Sequence, residues 1–273
     1  MNRCYAGTNL LVALLMSLAV ITSAAAEKIR LAVTTSFHNS GLADHILPVI
    51  EKDLGVKVHL LVVGTGQALK LARAGDVDAI LVHFKAAEEQ FVSDGHATHR
   101  RQIMYNDFVI IGPSTDPANI ADKTTASTAF AAIARSAVPF VSRGDESGTH
   151  RAELTIWEAA GLKPGTFDPS WYREIGAGMG AALNAASAMG AYTLSDRASW
   201  LNFANKGGLK LLFSGDPALF NQYSFLPVNP HNHPHVAGDL ARKLEAWLTS
   251  AKGQRLIGAY AIGTDSVFVP NAQ

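Results

Sequence analysis

Apolar runs typical of buried strands alternate with amphipathic stretches over the first part of the chain. The runs lie at residues 29–33, 56–63 and 79–82, and a stretch with apolar residues at helical spacing follows each of them. In the first such stretch, Leu42 and Ile46 are four residues apart, so they share one helical face. Because a strand–helix alternation builds a parallel sheet covered by helices, the pattern predicts an α/β fold.

A polar segment at residues 114–122 separates this pattern from a second unit. The strand before it, at residues 104–111, runs into Gly112 and Pro113, which favour a loop. Helices and strands of the second unit are predicted at residues 125–134, 140–141, 147 onward, 172–175, 180–189 and 191–194.

The end of the chain is predicted to return to the first unit. It carries further strands and amphipathic helices, at residues 209–213, 225–228, 236–248 and 253–260. We therefore expect two discontinuous α/β lobes, each a mostly parallel sheet flanked by helices, joined by two crossover strands. The expected boundaries are 27–111 plus 209–273 for the first lobe and 112–208 for the second. The ligand sites of both lobes are expected on facing strand ends.

The first 26 residues have the pattern of a secretory signal peptide. Arg3 precedes an apolar run at residues 10–21, and Ala24, Ala25 and Ala26 form a small-residue cleavage site. The run is shorter than the ~20 residues of a membrane span, so we expect cleavage before Glu27 and export to the periplasm. The sole cysteine of the chain leaves with this segment, which excludes disulfide and thiol chemistry in the mature protein.

The net charge limits the classes of partner, and the length limits the number of domains. The chain has 23 basic and 23 acidic residues, and loss of Arg3 leaves the mature protein with one excess negative charge. A near-neutral chain argues against nucleic-acid and membrane-surface partners. Its length suffices for two domains.

The densest chemistry lies at residues 142–150, where a helix is expected to begin near Ser147. The segment reads Ser142, Arg143, Gly144, Asp145, Glu146, Ser147, Gly148, Thr149 and His150. A helix start presents unpaired N–H groups and a partial positive charge, and an arginine adds a fork for tetrahedral oxygens, so the segment can bind a small oxyanion. The alternative is an ordinary helix cap with Arg143 paired to a surface carboxylate.

Two other strand-to-helix junctions carry hydroxyl groups in the same way. They are Thr34, Thr35 and Ser36 after the first strand, and Gly64, Thr65 and Gly66 after the second. Three such helix starts suit a dehydrated oxyanion that is bound by neutral donors and one cation.

These segments, with residues 62–69, 104–113 and 191–197, closely resemble the tungstate-binding proteins of tungstate ABC importers. The resemblance covers nearly all of the chain after residue 26. The pattern Arg143-x-Asp145-x-Ser147-Gly148-Thr149 is also similar to the phosphate-binding proteins of phosphate importers. The resemblance implies a two-lobed periplasmic solute-binding fold of type II-like architecture, which captures tungstate as a monomer and presents it to an ABC permease. It implies neither catalysis nor a cofactor.

The expected ligands are hydroxyl and N–H donors around a single countercharge, Arg143. They are Thr35, Ser36, Thr65, Arg143, Ser147, Gly148 and Thr149, with Thr34, Ser142 and His83 as second choices. Asp145 is expected to orient Arg143 or to cap the helix, because a carboxylate facing a dianion would repel it. The phosphate binders carry an aspartate where this chain has His83, which either faces the ligand or is a core histidine.

Several alternatives stay open at this point. Molybdate has the charge and nearly the size of tungstate, and an oxyanion sensor subunit would need the same site. A serine hydrolase would use Ser147 with His150, although the serine is misplaced for a G-x-S-x-G elbow. The loop at residues 176–180 is either an N–H donor to the anion or a tight turn, and its glycine spacing disfavours a dinucleotide site. The histidines at 231, 233 and 235 are expected to be structural, without a metal.

Overall fold

The computed structural model describes residues 27–272, so the predicted signal peptide lies outside the described residues. The first lobe begins with three parallel strands, β1 (Glu27–Thr34), β2 (Val56–Val63) and β3 (Ala79–Val82), in the order β2-β1-β3. The intervening helices are α1 (Thr35–Asn39), α2 (Leu42–Leu54), α3 (Thr65–Ala74) and α4 (Lys85–Ser93). The predicted strand–helix alternation is therefore confirmed here.

The next strand, β4 (Arg101–Pro113), passes through both lobes. Its first half pairs antiparallel with β9 (Phe220–Pro227), which in turn pairs with β3. Its second half pairs with β7 (Tyr192–Asp196) and β8 (Leu209–Phe213) of the second lobe. Thus β4 is a crossover strand, and the chain crosses back between β8 and β9.

The second lobe has its own parallel strands, β5 (Phe140–Ser142), β6 (Tyr172–Glu174) and β7, with β5 between the other two. Its helices are α5 (Ala126–Ser136), α6 (Gly148–Ala159), α7 (Met179–Met189) and α8 (Arg197–Asn202). A mixed α/β architecture with mostly parallel sheets is thereby confirmed.

The chain ends on the first lobe with α9 (Gly238–Thr249) and α10 (Ala251–Ala259). A small hairpin, β10 (Ala261–Ile262) with β11 (Asp265–Ser266), follows, and β12 (Val269–Pro270) pairs with β4. Among residues 27–272, no helix has both the length and the apolar character to cross a membrane.

Apolar side chains pack on both faces of each sheet. In the first lobe, Phe37 and Ile46 pack with Trp247 on one face, and Ile80 packs with Phe91 on the other. In the second lobe, one face is centred on fully buried Trp157, and the other contains residues of α7 and α8. Since both faces of each sheet are covered, the strand ends are left for the polar groups described below.

Three features differ from the sequence expectation. Strand β9 begins at Phe220 rather than at residue 225, because its polar start pairs with β4. The short helix α8 was not predicted. The stretch after β1 forms two helices, because Gly41, with a φ of 79°, interrupts the helical backbone between α1 and α2.

The expected lobe boundary at residue 209 is also affected by the packing. Leu209 and Phe213 of β8 pack among second-lobe residues. We therefore propose that the return to the first lobe begins after β8, at the turn before β9, rather than at residue 209.

Candidate anion site

Four helices begin close to one another at the contact between the lobes. Helices α1 and α3 belong to the first lobe, and α6 and α7 belong to the second. A Cβ built on Gly64, which precedes α3, would lie 3.7 Å from the Ser147 Cα, which precedes α6. A Cβ built on Gly178, which precedes α7, would lie 3.4 Å from Thr35 Cγ2 of α1. The positive ends of four helix dipoles therefore converge on one region.

One close approach between the lobes involves Gly148, the first residue of α6. A Cβ at this position would lie 2.6 Å from His83 Nδ1 and 3.0 Å from the His83 carbonyl oxygen. Such distances leave no room for a side chain, so glycine allows the start of α6 to approach the first lobe. The start of α3 is less crowded, since a Cβ on Gly66 would lie 3.5 Å from the Glu146 carbonyl oxygen.

At the helix starts of the first lobe, two hydroxyl groups are buried without a hydrogen-bond partner among residues 27–272. They are Thr35 Oγ1 and Thr65 Oγ1. Buried polar groups usually have partners, because an unmade hydrogen bond costs about 1–3 kcal/mol. Two orphan hydroxyls at adjacent helix starts therefore indicate a missing polar partner.

Thr34 and Ser36 differ from these two because the protein itself occupies their hydroxyls. Thr34 Oγ1 accepts from the Phe37 backbone N–H at 3.3 Å and lies 3.0 Å from Ser36 Oγ. Ser36 Oγ is also 2.9 Å from His83 Nε2 and 3.2 Å from the Tyr223 hydroxyl. Of the expected first-lobe ligands, Thr35 and Thr65 keep free hydroxyls, whereas Ser36 is left with its backbone N–H at the helix start.

Arg143 lies in the interior at the end of β5, with 2 % of its surface exposed. One guanidinium nitrogen, Nη2, donates to Asp145 Oδ2, and Nε has no partner within the described part of the chain. The second oxygen of Asp145 accepts the Ser147 backbone N–H at 3.2 Å. Asp145 thus both orients Arg143 and caps the turn, and the surface pairing considered for Arg143 does not occur.

The start of α6 supplies a further orphan hydroxyl, Thr149 Oγ1, and the hydroxyl of Ser142 at the end of β5 interacts with the Glu153 and Tyr172 side chains. Ser147 has another role, because its hydroxyl caps α6 by accepting the His150 N–H at 3.2 Å. The chain reaches these positions through a turn in which Gly144 and Glu146 have φ values of 60° and 57°. Both lobes therefore direct unpaired donors to their contact, as an anion-binding site requires.

Comparison with known proteins agrees with this arrangement. The family model described as PBP superfamily domain matches residues 20–252. The tungstate-binding protein TupA of Peptoclostridium acidaminophilum is 41 % identical over 248 residues, which is 89 % of this chain and 85 % of that protein. This chain belongs to the TupA family of the PBP superfamily.

Two solved structures extend the family comparison to the whole fold. The tungstate-binding protein TupA from Desulfovibrio alaskensis G20 shares 43 % identity, with a TM-score of 0.77, over 91 % of this chain and 100 % of that chain. The structure titled as the tungstate ABC transporter from Geobacter sulfurreducens shares 45 % identity, with a TM-score of 0.79, over 87 % and 100 %. These TupA relatives are solute-binding proteins and not enzymes.

The hydrolase alternative fails on this family membership, and the geometry of Ser147 and His150 agrees. His150 Nδ1 accepts the Glu146 backbone N–H at 3.2 Å, and the Ser147 hydroxyl is occupied by capping. A serine nucleophile needs a base that accepts its proton, and no hydrogen bond joins the two side chains within residues 27–272.

The remaining motifs have structural positions outside the cluster of free donors. His233 Nε2 lies 3.0 Å from the Arg73 carbonyl oxygen, and His235 Nε2 lies 3.0 Å from the Gly75 carbonyl oxygen. These two contacts connect the loop before α9 to the end of α3. Within the described part of the chain, no group of three or more His, Cys, Asp or Glu residues could hold a metal ion.

Sequence reasoning did not anticipate the polar groups that lie behind the site. They are Asn106 on β4, Asp196 at the end of β7, and Asn221 and Tyr223 on β9. They join across three strands that are far apart in sequence, so no local motif could have revealed them. For the loop at residues 176–180, the sequence left open an N–H donor to the anion or a tight turn. Gly178 lies next to Thr35, which favours a position of this loop beside the site.

Proposed function

We propose that this protein captures tungstate, WO₄²⁻, between its lobes and presents it to an ABC importer. One observation carries the proposal. Orphan hydroxyls of Thr35, Thr65 and Thr149 lie at helix starts of both lobes, and Ser142 Oγ and the orphan Nε of Arg143 lie at the end of β5. The names of the TupA relatives support tungstate as the anion.

In this proposal, the anion is bound by neutral donors and a single guanidinium. Thr35, Thr65 and Thr149 donate through their hydroxyls, and Ser36 and Gly148 through backbone N–H groups. Ser147 holds the start of α6 in place, because its hydroxyl accepts the His150 N–H and its own N–H is bound by Asp145. Arg143 donates through Nε while Asp145 holds Nη2. Ser142 supplies a further hydroxyl. Because Asp145 already neutralises the guanidinium, the dianion depends on dipoles as much as on net charge.

The partner and the compartment follow from the same proposal. We infer that residues 1–26 direct export and are removed, that the mature protein acts as a periplasmic monomer, and that its protein partner is the membrane permease. Molybdate remains the main competitor, since it shares the charge and nearly the size of tungstate. An oxyanion sensor would use the same site with a different partner.

The test is calorimetric titration of the chain from Glu27 with tungstate, molybdate, sulfate, phosphate and chromate. Tungstate is expected to bind tightest. Phosphate should bind at least tenfold more weakly, because hydrogenphosphate carries an O–H, and both oxygens of Asp145 are already engaged. No binding of tungstate, or equal binding of phosphate, would overturn the proposal.

A further inference from the structure

We propose that His83 is a positioning residue of the anion site: a neutral imidazole, protonated on Nδ1, that fixes Ser36 and supports the start of α6 without adding a positive charge. This inference rests on the proposed function and deepens it. It assigns His83 neither to the ligands nor to the inert core, which were the two roles that the sequence left open.

The first argument is the contact with Ser36. His83 is 6 % exposed, and its Nε2 lies 2.9 Å from Ser36 Oγ. The same hydroxyl contacts Thr34 Oγ1 and the Tyr223 hydroxyl, so three side chains hold it. Ser36 is the second residue of α1, and its backbone N–H is one of the proposed anion donors. The three contacts therefore help to hold Ser36, and with it this donor, at the start of α1.

The second argument concerns the proton on the ring, which the neighbouring amides determine. The Asn106 amide nitrogen donates to Asp196 Oδ2 at 2.6 Å, so Asn106 Oδ1 is its acceptor, and it accepts from Asn221 Nδ2 at 2.8 Å. The carbonyl oxygen of Asn221 is then the free end of that amide. It is buried without a partner among residues 27–272, as is His83 Nδ1.

These two orphan atoms belong to side chains that line the same cavity, and we infer that they face each other. An Asn221 carbonyl oxygen can only accept, so the ring nitrogen facing it carries the hydrogen. A neutral imidazole has one N–H, hence Nε2 is the acceptor. Nε2 accepts a hydrogen bond from the Ser36 hydroxyl, so that hydroxyl does not donate to an anion.

The charged groups around the ring oppose its protonation. Burial, followed by the nearby Arg143 guanidinium, lowers the pKa of His83 to about 3, against the opposing interaction with Asn221. Tyr223 packs on the ring from β9 with centroids 4.7 Å apart, and Phe108 packs from β4 at 6.0 Å. Asp196 lies one hydrogen bond farther away, beyond the Tyr223 hydroxyl at 3.0 Å.

The third argument is the contact with the second lobe. Gly148 rests against the ring so closely that a Cβ there would lie 2.7 Å from His83 Cε1. The start of α6 thus packs directly against the His83 ring where the two lobes are in contact. A ring held by Ser36 and Asn221 defines how far α6 can approach.

The direct test is nitrogen NMR of the histidine rings in the intact mature protein. We expect the His83 shifts of a neutral ring with hydrogen on Nδ1, unchanged between pH 5 and 8, with and without tungstate. A doubly protonated ring, or hydrogen on Nε2, would overturn the inference. The anion-free measurement does not depend on ligand, so a failure of tungstate to bind would refute the proposed function separately.

Two variants test the positioning role. His83→Gln can place an acceptor near the Nε2 position, whereas His83→Leu has similar bulk and no acceptor. We expect the Leu variant to lose about tenfold in tungstate affinity and the Gln variant to lose less than about threefold, since one hydrogen bond separates them. His59→Leu, on the exposed part of β2, is the control. Wild-type affinity in the Leu variant would overturn the role.

Discussion

At the scale of single residues, the site combines a buried cation with a carboxylate that is already engaged. Arg143 is 2 % exposed, and burial lowers its pKa while Asp145 opposes the shift. A buried guanidinium without a partner would be costly, so Asp145 maintains Arg143 in place before the anion arrives. Nε has no partner within the described residues and is a donor that an oxyanion can take.

Arg143→Ala is therefore expected to weaken tungstate binding by at least a hundredfold. The variant loses a charge-assisted hydrogen bond worth about 1.5–3 kcal/mol and leaves Asp145 free to repel the dianion. Arg143→Lys should recover part of the loss, because it restores the charge without the fork. Titration calorimetry measures both variants.

The matched control is Arg151→Ala on α6, whose partner Glu146 is 3.7 Å away and well exposed. We expect its affinity to stay within about threefold of wild type, or ~0.6 kcal/mol. If Arg143→Ala behaved like this control, the guanidinium would not contact the anion.

A second buried ionisable group, Glu153, interacts with Arg143, and it makes the free energy of unfolding depend on pH. Glu153 is 1 % exposed and accepts from Tyr172 at 2.7 Å and from Trp157 at 3.1 Å. Burial raises its pKa from 4.5 to about 7, against those hydrogen bonds. Between those values the folded protein keeps a proton that the unfolded chain has lost, so the free energy of unfolding falls as pH rises.

Glu153→Gln should remove this dependence, which amounts to about 3 kcal/mol for a shift of that size. We expect the variant to be more stable than wild type at pH 8 and similar to it at pH 4.5, in urea unfolding. Glu158→Gln, exposed on the same helix, is the control. An unchanged difference between the two pH values would show that Glu153 is not the titrating group.

At the scale of secondary-structure elements, the start of α6 is the most constrained part of the site. Ser147 caps it, Asp145 binds the Ser147 N–H, and Gly148 contacts His83. Because the clash of a Cβ with the His83 ring and carbonyl would separate the lobes, the element can supply its donors only with glycine at position 148.

Gly148→Ala is expected to reduce tungstate affinity at least tenfold without a large loss of thermal stability, because each lobe keeps its own core. Gly66→Ala at the start of α3 is the matched control, since its Cβ would have ordinary contacts of 3.5 Å or more. Equal affinities of the two variants in calorimetry would contradict the close contact at Gly148.

The elements also show what the sequence could predict. Strands β2, β3 and β8 have the predicted bounds, because each is an apolar-rich run bounded by glycine or polar residues. Local motifs likewise predicted the hydroxyls at the starts of α1, α3 and α6. They could not show that the Ser36 hydroxyl is occupied, because His83 and Tyr223 reach it from distant parts of the sequence.

At the scale of the whole molecule, β4 joins the two sheets, and the proposed donors come from both sides of that connection. Its residues before Phe108 pair with β9 of the first lobe, and those from Phe108 onward pair with the second. Asn106 and Asp196 form a buried hydrogen bond at this crossing, at 2.6 Å. A lobe rotation about the crossing would separate Gly148 from His83 and open the site to solvent.

Tungstate should therefore stabilise the arrangement in which the lobes touch, since that arrangement alone brings all of the donors together. At a free concentration of 100 times the dissociation constant, binding adds about 2.7 kcal/mol to the free energy of unfolding. We expect a higher melting temperature and, in small-angle scattering, a smaller radius of gyration than without the anion. The Arg143→Ala variant, at most half-saturated at the same concentration, should gain no more than about 0.4 kcal/mol and show at most half of the compaction. Stabilisation of the wild-type protein without compaction would mean that the anion binds to lobes that already touch, and the proposed closure would be wrong.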